Sequence, residues 1–139
     1  MMTPHLPRPC LHLVMSACVA LVLAQTTPAT AGTEHFEMEG ARITLHLHDF
    51  LTDEELDTLR IVGTVPQALM LFMGNADGHG AIAVAPDEGF IRDGAPVESA
   101  AALAELPDAR AAATAARDQC DRQRTTAQPC VVVLEIAPR

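Results

Sequence analysis

Polar and apolar residues alternate from Arg42 to His48, and this period of two predicts a β-strand with one buried face. The buried face is formed by Ile43, Leu45 and Leu47. The opposite face carries Arg42, Thr44, His46 and His48 and is expected to meet solvent. Residues 32–41, which come before it, are mainly polar and acidic, and we assign no element to them.

A capping box at Thr52 predicts a helix over residues 53–62. In this motif the Thr52 hydroxyl accepts a hydrogen bond from the backbone of Glu55, and the Glu55 carboxylate accepts one from the backbone of Thr52. Gly63 is expected to end the helix. Its apolar side is predicted to consist of Leu56, Leu59, Ile61 and Val62.

The apolar run over residues 66–73 fits two kinds of element. Pro66 suits the first turn of a helix and Gly74 suits its end. An unbroken apolar run is equally typical of a buried strand. Periodicity does not separate the two, so helix and strand both stay open here.

A loop over residues 75–80 and a buried strand over residues 81–85 are predicted next, because Ala-Ile-Ala-Val-Ala is wholly apolar. Pro86 to Gly89 predicts a turn, with proline in its first half and glycine available for positive φ. We expect this turn to close a hairpin into residues 90–92.

Two further elements are predicted near the C-terminus. Residues 108–121 have helical composition, and small side chains on one side would let this helix lie close to a sheet; the stripe is Ala109, Ala112, Ala113, Ala116 and Cys120. Residues 131–136 are β-branched and almost wholly apolar, which indicates a central strand. Residues 99–105 favour a helix by propensity alone.

The first 31 residues have the layout of a secretory signal. Arg8 precedes an apolar run from Leu11 to Ala24, and a polar stretch then leads to Ala29-Thr30-Ala31. Fourteen helical residues reach only about 21 Å, which is short of the roughly 30 Å hydrocarbon core. We therefore expect a signal peptide over residues 1–31 with cleavage after Ala31, a periplasmic or secreted location, and no membrane span after cleavage.

Two of the four cysteines, Cys10 and Cys18, lie within this predicted signal. The other two, Cys120 and Cys130, are expected to form a disulfide in an oxidising compartment. Their spacing is not that of a Cys-x-x-Cys redox motif or zinc knuckle, so we predict a structural role. Closing a loop of this length contributes about 2.5 to 3 kcal/mol of stability in the chain-entropy model.

Composition excludes several functions. The chain has no lysine, which rules out a Schiff base, a pyridoxal phosphate aldimine and a Walker A contact. Ser99 has no Gly-x-Ser-x-Gly sequence around it, which argues against an elbow-type serine hydrolase. Residues 32–139 carry 8 Arg against 18 acidic residues, a formal charge of −10, which disfavours nucleic acid and anionic lipid as partners.

One pair of side chains suggests metal chemistry. His46 and His48 lie two apart on one strand face, so their rings are expected about 6.5 to 7 Å apart, with His35 or Glu37 as a third ligand. Other candidate groups have simpler explanations. Met70, Met73 and His79 are a weaker set for copper, and Asn75 with Asp77 is a weaker set for calcium. Asp87 and Glu88 are expected to be solvated turn acids.

Three segments together resemble a family of small secreted bacterial domains of unknown function: His79 to Gly89 (HGAIAVAPDEG), Ala109 to Cys120, and Cys130 to Val133. The resemblance covers residues 79–136. It implies that residues 99–105 form a strand paired with residues 81–85, in place of the helix that propensity favours. It implies no catalytic residue.

The sequence thus predicts an α+β fold: a small antiparallel or mixed sheet with two to three helices packed on one face, and one disulfide. Residues 32–139 are expected to be one domain, with an N-terminal strand and helix segment (32–78) and a disulfide-tied hairpin, helix and strand unit (79–139). The predicted function is a non-catalytic binding or accessory module without a cofactor, whose partner is another periplasmic or envelope protein. The alternative is a periplasmic metal-binding protein that uses His46 and His48.

Overall fold

A computed structural model describes residues 32–74 and 77–138. The predicted signal peptide over residues 1–31 lies outside the described residues, as does Asn75 of the weaker calcium set. Secretion and cleavage after Ala31 therefore stay predictions.

The first two strands form a hairpin. Strand β1 (Gly32–Met38) pairs antiparallel with β2 (Ala41–Leu47), and Glu39 and Gly40 turn between them at positive φ. The strand predicted over residues 42–48 is confirmed, with Ile43 and Leu45 fully buried. Strand β1 was not predicted, because its polar positions outnumber its apolar ones, as an edge strand permits.

Two helices follow and meet at Val65. Helix α1 (Asp53–Thr64) begins with the predicted capping box, in which both hydrogen bonds are present. Gly63 does not end it, contrary to expectation. A Cβ there would lie 2.7 Å from Phe36 Cδ2, so glycine is needed inside the helix for close packing against β1. Helix α2 (Pro66–Met73) resolves the open choice for this segment in favour of a helix, with Pro66 in the first turn.

Strand β3 (His79–Val84) confirms the predicted buried strand. The turn after it does not close a hairpin from β3, which corrects that expectation. It leads instead to a separate two-stranded sheet of β4 (Ile91–Arg92) and β5 (Ala95–Pro96). Strand β6 (Ala101–Leu106) then pairs with β3. The helix that propensity favours over residues 99–105 is therefore wrong, and the strand that the family resemblance implies is present.

Helix α3 (Ala109–Gln123) and strand β7 (Val131–Pro138) complete the fold, as predicted. The main sheet has the order β1-β2-β7-β3-β6, and every neighbouring pair is antiparallel. Strand β7 is central, as its composition predicts. The fold is α+β, with three helices within the described residues and a five-stranded antiparallel sheet.

The helices cover both faces of the sheet rather than one, which corrects the expected arrangement. Ile82 and Val84 of β3 share a core with α1 and α2, whereas Ala81 and Ala83 point the other way and pack under α3. Alternate residues of a strand face opposite sides. Helix α3 lies over β3, β6 and β7, so on that side β1 and β2 keep an open face.

A disulfide joins Cys120, near the end of α3, to Cys130, just before β7, with Cα atoms 6.0 Å apart. The predicted pairing is confirmed. Both cysteines belong to the small-residue core beneath α3. The bond thus fixes the helix to the central strand across the loop that separates them.

Within the described residues no single helix has the length and hydropathy to cross a membrane. Helices α1 and α2 reach that length and hydropathy only as a pair, and the pair is bent by 88° at its junction.

Candidate functional site

Within the part of the chain that the structure describes, the large apolar side chains that remain exposed lie between residues 61 and 71. Ile61 is 49% exposed and Val65 37%, at the end of α1 and at the junction, while Met70 and Leu71 of α2 are 60% and 88% exposed. Ile61 was expected on the buried side of α1, and this placement corrects that expectation. We call Met70, Leu71 and the cleft beside them the α2 surface.

The sequence of α2 explains this exposure. Gln67 is its only polar residue, so apolar side chains occupy every side of the helix. Leu69 and Met73 are buried in the core, and the helix ends at Gly74. One side of this largely apolar helix is therefore exposed, and exposed apolar surface with a polar rim marks interaction sites.

A cleft of about 210 Å³ lies beside α2. The residues that line it include the apolar Leu69, Met70 and Ile136 and the acidic Glu39 and Asp77. The β1–β2 turn and the end of β7 also contribute to this lining. The cleft thus combines an apolar lining with two acidic residues.

The second candidate is the open face of β1 and β2. His46 and His48 lie on this face with ring centroids 6.4 Å apart, close to the separation that strand geometry predicts. His35 of β1 lies on the same face, opposite Thr44 in register. Its Nδ1 lies 3.2 Å from the Thr44 hydroxyl.

Both rings of the pair are anchored through Nε2. His46 Nε2 lies 2.8 Å from Glu135 Oε2, and His48 Nε2 lies 3.1 Å from the carbonyl oxygen of Val132. A carboxylate and a carbonyl accept hydrogen bonds only, so each Nε2 donates. In the neutral ring the lone pair then lies on Nδ1. The His48 ring also stacks on Phe50 at 5.1 Å.

Among residues 32–74 and 77–138 no three or more His, Cys, Asp or Glu side chains form a group that could hold a metal ion. The proposed third ligands therefore do not complete a protein-only site with His46 and His48. Of the weaker copper set, Met73 packs in the core while Met70 faces solvent.

Glu88 is not a solvated turn acid, which corrects the expectation. Its carboxylate accepts hydrogen bonds from the Ser99 hydroxyl and from Thr125 N, Thr125 Oγ1 and Thr126 N. The Ser99 hydroxyl contributes most, followed by Thr125 N, and together the donors lower the pKa of Glu88 to about 2. Its neighbour Asp87 is exposed, as expected.

Glu55 has a second role beyond its helix cap. Its Oε1 accepts hydrogen bonds from Phe90 N at 2.6 Å and Ile91 N at 2.9 Å. Burial raises the pKa of Glu55, but the backbone donors of Thr52, Ile91 and Phe90 outweigh burial and lower it. The capping motif revealed the first role, whereas partners 35 residues away left no local pattern. These carboxylates serve as structural anchors for loops.

Comparisons with protein-family models, with curated proteins and with solved structures found no match. The likeness of residues 79–136 to small secreted bacterial domains thus stays a resemblance.

Proposed function

We propose that this protein is a non-catalytic binding module of the periplasm or extracellular space, and that it binds a protein partner through the α2 surface. One observation carries the proposal: Leu71 is 88% exposed in a helix that has apolar residues on every side. Burying such a side chain contributes about 1.5 to 3 kcal/mol, so a partner gains affinity there.

The secreted location is supported by two independent features. The N-terminal pattern is that of a signal peptide, and a disulfide joins the only two cysteines beyond it. Disulfides persist in oxidising compartments. The partner is then another periplasmic or envelope protein.

Site-specific photo-crosslinking in the producing cell tests the proposal. A photoreactive amino acid at Leu71 is expected to give one discrete adduct with a partner protein. The same amino acid at Thr114, on the exposed side of α3, is the matched control and is expected to give none. No adduct at Leu71, or the same adducts at both positions, would contradict binding through α2.

Metal binding by His46 and His48 is the second candidate, and one observation favours it. Each Nε2 is held by a carboxylate or a backbone carbonyl, which is how proteins orient metal-ligating histidines. The two Nδ1 lone pairs would bind the ion, and solvent would supply the other ligands. A borderline divalent ion such as Zn²⁺ or Cu²⁺ suits imidazole nitrogen.

Calorimetric titration with Zn²⁺ and with Cu²⁺ tests this candidate. One ion per chain is expected, with binding lost in H46A/H48A and weakened about 10- to 100-fold in E135Q, which loosens the orientation of His46. The matched control is His35→Ala, which is expected to retain binding. Unchanged affinity in H46A/H48A would remove this candidate.

A further inference from the structure

Among the described residues, the charged side chains that line the cleft beside α2 are acidic. They are Glu39 and Asp77, and this described lining contains no arginine. A third carboxylate lies at the end of α2, because Glu105 Oε1 is 3.9 Å from the position of a Cβ on Gly74. Two acidic residues thus line the cleft beside α2, and a third lies next to the glycine that ends this helix.

The helix itself adds to this negative charge. The C-terminus of a helix carries about half a negative charge, and basic residues in the last turn usually offset it. Neither α1 nor α2 has a basic residue in its last turn. The end of α2, next to Glu105, is therefore uncompensated.

The arginine of α1, Arg60, already pairs with acidic residues of this chain. Arg60 donates to Glu34 at 2.7 Å and to Asp57 at 2.8 Å, and these bonds raise its pKa further above its already high usual value. Its charge is neutralised within the chain. Arg60 therefore does not balance the negative charge of Glu39 and Asp77 in the cleft lining.

These charges indicate which kind of partner can bind to the α2 surface. A second copy of the chain would bring its own acidic residues against these, and residues 32–139 carry a charge of −10. An anionic lipid surface would be repelled in the same way. A partner with positive charges beside an apolar stripe fits both the acidic residues and the exposed apolar side chains of the α2 surface.

We propose that the α2 surface binds a basic amphipathic helix of its partner protein. Apolar side chains at helical spacing would cover Met70 and Leu71, with one of them entering the cleft, and flanking Lys or Arg would meet Glu39, Asp77 and Glu105. This inference rests on the proposed function, and it adds the chemistry of the partner.

Two synthetic peptides of about 20 residues serve as probes, because isolated helices shorter than about 12 to 15 residues are marginal in water. Both carry the same leucine stripe; one has Lys and the other Glu at the remaining positions. Fluorescence anisotropy is measured with the purified protein. We expect the Lys peptide to bind at least about tenfold more tightly than the Glu peptide, with the difference shrinking at high salt.

Variants locate the contact. Leu71→Ser is expected to weaken binding of the Lys peptide at least about tenfold, since the exposed side chain supplies its main apolar contact. E39Q/D77N is expected to reduce the preference for Lys over Glu while the leucine stripe still binds. Thr114→Ser, on the exposed side of α3, is the control. Circular dichroism is the measurement that checks whether each variant is folded.

The outcomes separate the two proposals. Equal affinity for both peptides, lost in L71S, would overturn the basic partner and leave the α2 surface as the binding site. Lys-peptide binding that L71S does not change would overturn both. A stable dimer in sedimentation that L71S dissociates would replace the basic helix with a second copy as occupant.

Discussion

Single carboxylates hold the loops of this small domain to its sheet. Glu88, in the turn after β3, reaches both Ser99 before β6 and the Thr125–Thr126 segment after α3. Glu55, at the start of α1, holds the backbone of Phe90 and Ile91. Each group satisfies donors from distant parts of the chain, so each joins segments that no regular element connects.

Replacing Glu88 by Gln should change how stability depends on pH. The pKa of Glu88 is about 2 in the folded protein against an ordinary 4.5, so its contribution is complete above about 4.5 and is lost as pH falls towards 2. We expect E88Q to be less stable than the parent at neutral pH and this gap to close on acidification.

Urea unfolding midpoints measured across that pH range check this prediction. Asp87→Asn is the matched control, since it removes an exposed carboxylate from the adjacent position. It should leave the pH dependence close to that of the parent. Parallel pH profiles for the parent and E88Q would contradict the role assigned to Glu88.

Helices α3 and α2 differ in the size of the apolar side chains that they carry. Helix α3 uses Ala112 and Ala116 to approach Ala81 and Ala83 of β3, so this core is thin and closely packed. Helix α2 has large apolar side chains on every side and can bury only some of them. The apolar face of α3 is thus covered within the fold, whereas α2 has an exposed apolar face that a partner can cover.

Enlarging Ala116 should destabilise the fold. The side chain is fully buried, so Ala116→Leu must push α3 away from the sheet, at a cost of about 1 to 3 kcal/mol. Thr114→Leu, at an exposed position of the same helix, should change stability by no more than about 0.5 kcal/mol. Denaturant unfolding of both variants is the measurement, and equal stabilities would show that the alanine packing is loose.

Across the chain, the sheet brings the two predicted segments together, and the disulfide lies within the second of them. Strand β2, from residues 32–78, pairs with β7, from residues 79–139, and the disulfide holds β7 to α3. The bond closes a loop with a sequence separation of 10. Its effect on stability is thus expected mainly through the unfolded chain.

Reducing the bond should lower the free energy of unfolding by about 2.5 to 3 kcal/mol. Urea unfolding with and without reductant measures this change, and the double variant C120A/C130A should not respond to reductant. Intact mass spectrometry of the protein purified from the producing cell should show a chain beginning at Gly32 that gains two hydrogens on reduction. A chain that retains residues 1–31 would overturn the predicted cleavage.

Local patterns sufficed for much of the fold. The alternation in β2 placed His46 and His48 on one face, the capping box located the start of α1, and the apolar composition of β7 indicated its central position. The two cysteines beyond the predicted signal, in the oxidising compartment that it implies, predicted the disulfide. Apart from the disulfide, each of these signals lies within a few consecutive residues, and the physical preference behind it acts over the same short distance.

Only tertiary contacts decided the rest. Strand β1 has few apolar residues and exists through its ladder with β2, and β6 overrides its helix propensity because β3 needs a partner strand. Gly63 continues α1 because Phe36 packs on it. The apolar run of α2 was visible in the sequence, but which of its side chains stay exposed, and which acidic residues line the cleft beside them, depended on how distant segments pack.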